Sequence, residues 1–267
     1  MTLAAIHFRQ TIFFAQRFCV LVTLFCFSGQ LAAAQCSVSS GSWPIPLVEL
    51  YTSEGCSSCP PADRWLSGLT ADHSSSERVI PLALHVNYWD YIGWKDRFAQ
   101  SKFSTRQREM VRLNHSAIVY TPQVMLNGKD FRAWGSDSFS RAVGEINRQP
   151  AHAWITLTLS PSDSNELQVT ANARARSGVA LYVALYENNL QSKIKAGENQ
   201  GRQLHHDSVV REWYGPLSMD RDGRVTWQLS VRLSPEWVAA KMGLVAFAQD
   251  PTTGEILQAI RLPWCAG

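Results

Sequence analysis

Two cysteines separated by two residues offer the clearest chemistry in this sequence. Cys56 and Cys59 lie in LYTSEGCSSCPPA, residues 50–62, where an apolar run ends and two prolines follow. Such a pair can be a redox-active disulfide, one half of a metal site or a structural bridge. The spacing alone does not choose among the three, so the elements that position the pair have to be considered.

The first half of the chain alternates between strand-like and helix-like segments. The apolar pattern predicts strands at residues 45–51 and 79–86, helices at residues 62–69, 96–114 and 136–147, and a hairpin turn at Asn127-Gly128. A cysteine pair between a buried strand and a helix suits thiol–disulfide exchange, because a helix N-terminus stabilises the attacking thiolate. Thr121-Pro122, just before the hairpin, strengthens this interpretation. Cys56 is then the more exposed, attacking sulfur, and Cys59 resolves the mixed disulfide.

The hydrophobic pattern of the sequence changes after Pro150. Period-two alternation and apolar runs predict strands at residues 154–159, 167–173, 179–186, 225–233, 243–248 and 256–262. Residues 193–206 are polar, contain glycine and are expected to form a long loop. We therefore expect an α/β domain at residues 35–150, followed by an all-β antiparallel sandwich at residues 151–267.

Four stretches carry a resemblance to a known family. They are VELYTSEGCSSCPPAD (residues 48–63), HVNYWDYIGWKDRFA (85–99), YTPQVMLNG (120–128) and GENQGRQLHHDSVVR (197–211). Similar stretches occur in a bacterial family of exported, thioredoxin-like proteins of unknown function, and the first half of the chain resembles a thioredoxin fold. The resemblance spans nearly all of the mature chain.

The resemblance assigns roles to three further residues. It implies that Pro122 is a cis proline facing the two cysteines, and that the backbone of Thr121 pairs with the substrate chain. Glu49 resembles in position the buried carboxylate that accepts a proton in thioredoxins. The chain's own Pro60-Pro61 pair predicts that the helix starts near Pro61, so that both sulfurs precede it.

Residues 1–34 have the pattern of an export signal. Arg9 and Arg17 precede or border an apolar stretch at residues 18–27, and Ala32-Ala33-Ala34 is a small-residue cleavage site. Ten apolar residues are too few to span roughly 30 Å of hydrocarbon. We expect cleavage after Ala34 and export to the periplasm or outside the cell, with no membrane contact once the signal is removed.

Export changes the cysteine count. Removal of the signal leaves four cysteines, which allow three pairings, and an oxidising compartment favours using all of them. Cys36 and Cys265 lie near the two ends of the mature chain, which are often close in space. We pair them with each other, which leaves Cys56 for Cys59.

The overall composition excludes several kinds of protein. A hydrophobic content of 45% and a charged content of 18% are typical of a globular chain. Without Arg9 and Arg17, 23 basic residues face 22 acidic ones, a balance that does not favour a nucleic acid or an anionic membrane as partner. Neither a phosphate-binding glycine loop nor a serine hydrolase motif is present. The expected partner is a protein or small molecule with a thiol or disulfide, and no cofactor is expected.

Other interpretations of the same residues stay open. A copper or zinc site would need further ligands, for which His85, His205 and His206 are the candidates. Alternatively, the cysteine pair is a permanent bridge in a non-catalytic binding module. The aromatic residues in segment 88–94 either line a substrate site or pack between the two domains. Residues 197–211 either reach the cysteines as a lid or form a self-contained surface loop.

Overall fold

The computed structural model describes residues 35–71, 78–161 and 166–265. The predicted signal segment, residues 1–34, lies outside the described residues. The helices are α1 (Pro60–Ala71), α2 (Ser101–Leu113) and α3 (Asp137–Ile146), with short 3₁₀ turns at Asp90–Ile92 and Ala239–Lys241. The strands are β1 (Cys36–Ser39), β2 (Leu47–Thr52), β3 (Ile80–His85), β4 (Gln123–Leu126), β5 (Lys129–Asp130), β6 (Ala153–Pro161), β7 (Glu166–Ala175), β8 (Ala180–Glu187), β9 (Leu190–Lys193), β10 (Gln203–His206), β11 (Val209–Ser218), β12 (Arg224–Arg232), β13 (Met242–Gln249) and β14 (Ile256–Pro263).

A mixed eight-stranded sheet runs through the centre of the protein, in the order β14-β13-β8-β11-β3-β2-β4-β5. Strand β3 pairs in parallel with both β2 and β11, whereas the other neighbours in this sheet are antiparallel. The strands therefore come from both halves of the chain, on either side of residue 150.

A four-stranded antiparallel sheet, β1-β6-β7-β12, packs over one end of the large sheet. Burial along β7 alternates, because successive side chains in a strand point to opposite faces. The inward residues of β7 share an apolar core with those of β8, namely Leu167, Val169, Ala171, Leu181, Val183 and Leu185.

The helices cover both faces of the other end of the sheet. Val48 and Leu50 of β2 face α1 and α3, whereas Leu47 and Tyr51 pack with Phe103 of α2 on the opposite face. The period of two along a strand explains this division. The loop between β2 and α1, which carries both cysteines, follows the carboxyl end of β2 at one edge of the sheet.

The predicted hairpin turn at Asn127-Gly128 is present between β4 and β5. Both residues have positive φ, 51° and 86°, which asparagine and glycine adopt more readily than other residues.

The predicted fold class, a thioredoxin-like α/β domain followed by a separate all-β sandwich, is wrong. Strands make up 41% and helices 19% of the residues that the structure describes, in large mixed and antiparallel sheets. An isolated first half would leave the backbone groups of β3 unpaired at a sheet edge. In the structure β11 takes that place, with Ala83 N donating to the carbonyl of Ser208 at 2.8 Å. Hydrophobic periodicity predicts single strands but not their neighbours, so the boundaries at residues 34 and 150 stay predictions.

Candidate functional site: the disulfide loop between β2 and α1

The two central cysteines form a disulfide, as predicted, with their Cα atoms 5.5 Å apart. The chain turns tightly here, since Cys56 N donates to the Ser53 carbonyl and Cys59 N to the Cys56 carbonyl. Cys56 is 1% exposed and Cys59 is 0% exposed, although the two serines between them are on the surface. Neither cysteine therefore presents an open surface to solvent.

Helix α1 begins directly after the pair, at Pro60, so both cysteines precede it as the two prolines predicted. The carbonyl of Cys59 accepts hydrogen bonds from the backbone N–H groups of Ala62 (2.9 Å) and Asp63 (3.1 Å). Cys59 thus occupies the N-terminal boundary of the helix. The partial positive charge at that end stabilises a thiolate.

Thr121 and Pro122 lie beside the disulfide, and the peptide bond between them is cis. The Ser58 hydroxyl lies 3.4 Å from the Thr121 carbonyl and 3.3 Å from the Cys56 sulfur. Neither a carbonyl oxygen nor a disulfide sulfur has a hydrogen to give, so Ser58 is the donor in both contacts, and its single hydroxyl hydrogen serves one of them at a time. Ser58 can therefore also stabilise a thiolate on Cys56, a role that sequence reasoning missed. Pairing of the Thr121 backbone with a substrate stays a prediction.

Glu49 belongs to a different part of the molecule. Its two carboxylate oxygens accept hydrogen bonds from Arg106 of α2, at 2.5 and 3.1 Å. The guanidinium also lies 4.6 Å from the ring centre of Trp213 and donates to Gln249. Glu49 points to the α2 face of the sheet, opposite α1. This arrangement gives no support to the proton-accepting role that the resemblance assigned to it.

Five buried titratable residues lie next to the disulfide loop instead. Each is at most 5% exposed, and we call them the acid–imidazole cluster: Glu54, Asp63, His85, Asp96 and His206. Glu54 comes two residues before Cys56, and Asp63 lies on the first turn of α1. The cluster therefore joins the disulfide loop to β3, to the segment before α2 and to β10.

The best-paired members of the cluster are His85 and Asp96. Nδ1 of His85 lies 2.7 Å from Oδ2 of Asp96, and that oxygen also accepts the backbone N–H of Glu54. Burial by itself would lower the pKa of His85, but the charge and hydrogen bond of Asp96 raise the pKa above its usual value. Burial likewise opposes ionisation of Asp96, yet His85 brings the pKa of Asp96 below its usual value. Both directions favour a charged pair.

His206 enters the cluster from β10 between two carboxylates. Its Nε2 lies 3.4 Å from Oε1 of Glu54, and its Nδ1 lies 3.8 Å from Oδ2 of Asp63. Neither nitrogen makes a hydrogen bond within the described residues, and the same holds for Glu54 Oε1, Asp63 Oδ2 and His85 Nε2. Burial raises the pKa of Asp63, and the two histidines offset only part of the rise. Because buried polar atoms are normally hydrogen-bonded, this concentration of atoms without hydrogen bonds makes the cluster a candidate functional site.

A hairpin from the second half of the chain lies over the loop. Nδ2 of Asn199 donates to the carbonyls of Glu54 (2.8 Å) and Cys56 (2.9 Å), and the N–H of Ser57 donates to Glu198 (3.0 Å). Of the two alternatives for residues 197–211, this geometry favours contact with the cysteine site. The family-like motif was the only sequence signal for it.

Two of the aromatic residues after β3 also contact the site. Nε1 of Trp89 donates to Thr121 Oγ1 at 2.7 Å, and Nε1 of Trp94 donates to Glu54 Oε2 at 2.8 Å. Tyr88 instead bonds to Gln107, and Tyr91 is 82% exposed. Trp89 and Trp94 thus line the site, whereas Tyr88 packs against α2.

The alternative of a metal site finds no support in the described part of the chain. Within residues 35–71, 78–161 and 166–265 no group of three or more histidines, cysteines or carboxylates is arranged to hold a metal ion. His205 and His206 point apart, since His205 is exposed and contacts Asp207 while His206 is buried.

None of the helices in these ranges has the length and apolar character needed to cross a membrane.

Comparison with known proteins gives a family and a fold. The crystal structure of protein AGR_C_4864 from Agrobacterium tumefaciens is similar, with a TM-score of 0.64 and 23% identity over 85% of this chain and 98% of that one. HBP35 of Porphyromonas gingivalis is also similar, with a TM-score of 0.60 and 16% identity over 85% of this chain and 80% of that one.

At these identities the likeness concerns the fold alone. No curated protein matches the sequence. The sequence matches a family described as "Protein of unknown function (DUF1223)" over residues 47–249. This family match does not confirm the thioredoxin likeness expected from the motifs. Because the match covers well over half of the chain, the protein belongs to the family DUF1223.

Proposed function

We propose that this protein is a thiol–disulfide oxidoreductase whose reactive couple is Cys56–Cys59. The observation that carries the proposal is the position of the bridge at the N-terminal boundary of α1, where the Cys59 carbonyl accepts the first N–H groups of the helix. A helix N-terminus lowers the pKa of a nearby thiol, which makes it both a better leaving group and a more abundant thiolate.

The exchange balances without any cofactor. A substrate thiolate attacks the sulfur of Cys56, the Cys56–Cys59 bond breaks, and Cys59 leaves as a thiolate. A second substrate thiolate then attacks the substrate sulfur of the mixed disulfide, which releases Cys56 as a thiolate. The products are one substrate disulfide and the reduced pair, which takes up two protons. In the reverse direction the same steps reduce a substrate disulfide.

The surroundings of the pair suit this chemistry. The Ser58 hydroxyl is positioned to donate to a Cys56 thiolate, and the helix N-terminus faces Cys59. The acid–imidazole cluster supplies buried ionisable groups next to the loop that carries both sulfurs. Thr121, with its carbonyl near Ser58, would contact the substrate.

A second candidate is favoured by the burial of the pair. Cys56 and Cys59 are 1% and 0% exposed, as expected for a permanent bridge in a non-catalytic binding module. The two candidates predict different reduction potentials. A structural disulfide resists the glutathione pool and has a potential below about −300 mV, whereas a catalytic couple lies well above that value.

The test is a redox titration of the Cys56–Cys59 couple with glutathione, combined with turbidity measurements of insulin reduction by dithiothreitol. We expect a midpoint potential above about −300 mV and acceleration of insulin reduction by the wild-type protein. Cys56→Ser should remove the acceleration, and Cys36→Ala/Cys265→Ala should retain it. A lower potential together with no acceleration would favour the binding module.

The proposed compartment is the bacterial periplasm, reached through the signal at residues 1–34. Two disulfides within the described residues are compatible with an oxidising compartment. Fractionation of cells that express the full chain, with mass spectrometry of the mature N-terminus, tests this. Retention of residues 1–34 in the cytoplasm would contradict it.

A further inference from the structure

A separate hairpin closes over the disulfide loop. Among the described strands, β9 and β10 pair only with each other, in antiparallel register from Leu190↔His206 to Lys193↔Gln203. Their backbone ladder is not shared with either large sheet. The connection between them, residues 194–202, is the part that reaches the cysteines, and we call it the cover segment.

The cover segment contacts the disulfide loop through polar atoms. Asn199 is fully buried, and its amide nitrogen bridges the carbonyls of Glu54 and Cys56. Glu198 accepts the N–H of Ser57. Each of these bonds can be replaced by a bond to water when the two surfaces separate.

The approach of the cover segment to the site is close. Gly197 has φ +74°, and a Cβ atom placed on it would lie 3.3 Å from Cβ of Trp94. Trp94 itself donates to Glu54, two residues before Cys56. Glycine is therefore favoured at position 197, where the cover segment packs closely against Trp94.

The base of the hairpin is held differently from its tip. His206, at the end of β10, is buried between Glu54 and Asp63, with its ring 4.9 Å from that of His85. Leu204, which also belongs to β10, is buried as well. A buried base and a polar-bonded tip form a hinged element, because the tip can separate while the base keeps its contacts.

We propose that the cover segment is an autoinhibitory contact that keeps thiols from Cys56, and that Asn199 is the residue that holds it closed. This inference rests on the proposed function, since it regulates access to that same disulfide. A thiolate must reach the Cys56 sulfur in line with the S–S bond, and that sulfur belongs to a residue only 1% exposed. Lifting of residues 194–202 precedes attack, so the opening equilibrium sets the rate of exchange.

The test measures how fast dithiothreitol reduces Cys56–Cys59 in the folded protein, by timed maleimide labelling and mass spectrometry of the peptide that carries both cysteines. Asn199→Ala removes two hydrogen bonds from the closed state, and we expect at least about tenfold faster reduction. Gln203→Ala is the matched control, because Gln203 lies on the same hairpin and its side-chain amide bonds to Gln191 rather than to the disulfide loop. It should leave the rate within about twofold of wild type. Equal rates for Asn199→Ala and wild type would overturn the proposal.

Hydrogen exchange of the wild-type protein provides a test without a substitution. The N–H of Ser57 donates to Glu198 of the cover segment. We expect it to exchange at least about a hundredfold faster than the amides of β8, because local opening is less costly than global unfolding. If the Ser57 amide exchanges as slowly as β8, the cover segment does not open separately and the proposal is wrong.

The outcomes separate this inference from the proposed function. Faster reduction of Asn199→Ala without any transfer to insulin would support the cover and contradict the oxidoreductase. Rapid insulin reduction, with identical disulfide reduction rates in wild type and Asn199→Ala, would support the oxidoreductase and contradict the cover.

Discussion

The two disulfides of this protein close loops of very different length. Cys36 and Cys265 are 229 positions apart, whereas Cys56 and Cys59 are 3 apart. In the loop-entropy description the long bridge stabilises the fold by about 5 kcal/mol and the short one by about 2 kcal/mol. Stability therefore explains the bridge between the chain ends well, and the central bridge much less.

The surroundings of the two disulfides also differ, apolar around the long bridge and polar around the short one. Cys36 and Cys265 pack against the apolar core between the two sheets. Cys56 and Cys59 adjoin the acid–imidazole cluster, in which several buried polar atoms lack hydrogen-bond partners. Buried charge costs free energy unless it is well paired. The cluster beside the short disulfide is therefore expected to lower stability, in contrast to the apolar surroundings of the long one.

The buried ion pair of Glu49 and Arg106 provides a second comparison with the acid–imidazole cluster. Both carboxylate oxygens are bonded, and the guanidinium is enclosed by aromatic rings. A fully satisfied ion pair of this kind is a structural feature. The acid–imidazole cluster is equally buried but lacks several of its hydrogen bonds. Hydrogen-bond satisfaction, rather than burial of charge, therefore distinguishes the structural Glu49–Arg106 pair from the candidate reactive cluster.

The largest expected effect concerns the long bridge. Cys36→Ala/Cys265→Ala should lower the free energy of unfolding by about 5 kcal/mol, because the unfolded chain regains the entropy of a long loop. Urea denaturation followed by tryptophan fluorescence measures the loss. The reduction rate of Cys56–Cys59 in the folded variant serves as the control and should be unchanged. A loss below about 2 kcal/mol would remove the contrast between the bridges.

The next effect concerns the charged pair beside the short bridge. Asp96→Asn leaves His85 without its buried counter-charge and should lower the free energy of unfolding by about 3 kcal/mol. Urea denaturation at pH 6 tests this. Glu166→Gln is a matched control, since Glu166 pairs with the exposed Arg232, and it should cost less than about 1 kcal/mol. Similar losses in the two variants would show that burial of the pair is unimportant.

Removal of the short bridge should have a smaller effect on stability. Cys56→Ala/Cys59→Ala is expected to lower the free energy of unfolding by about 2 kcal/mol, and to abolish acceleration of insulin reduction. Urea denaturation and the turbidity assay on the same preparation give both values. A loss as large as that from the long bridge would identify Cys56–Cys59 as a structural element.

The smallest effect is the pH dependence of the His85–Asp96 pair. The folded-state pKa of His85 is raised, so its contribution is complete below the unfolded value of about 6.5 and is lost as the pH rises through the folded value. The pKa of Asp96 is lowered, so its contribution is present above about pH 3.9 and is lost as the pH falls through its folded value. The stability difference between wild type and Asp96→Asn should therefore be largest between these limits.

The measurement is urea denaturation of both proteins from pH 3 to pH 10. Glu54, Asp63 and His206 also face this pair in both proteins, so only the difference between the two curves reports on His85 and Asp96. A difference that does not change with pH would contradict the charged pair.

Local sequence patterns predicted the site loop well. The apolar run ending before Cys56 indicated a strand, and Pro60-Pro61 indicated a helix that begins after both sulfurs. The disulfide pairing of all four cysteines followed from their number and positions. Strand β11 and the acid–imidazole cluster were not predicted, because neither has a local signature. Helix α2 starts at Ser101 rather than near residue 96, since Asp96 bonds to Glu54 and His85 instead of entering the helix.

The sequence by itself determined where many of the strands, the Asn127-Gly128 turn and the paired cysteines lie along the chain, because these depend on side-chain periodicity and backbone preferences over a few residues. Only the tertiary structure decided that β3 pairs with β11, which replaced the expected thioredoxin-like sheet by one that spans both halves. It also decided that Asn199 and His206 meet the disulfide loop from more than 140 positions away. Such contacts depend on the free energy of burying and hydrogen-bonding distant segments together, and no local pattern encodes that sum.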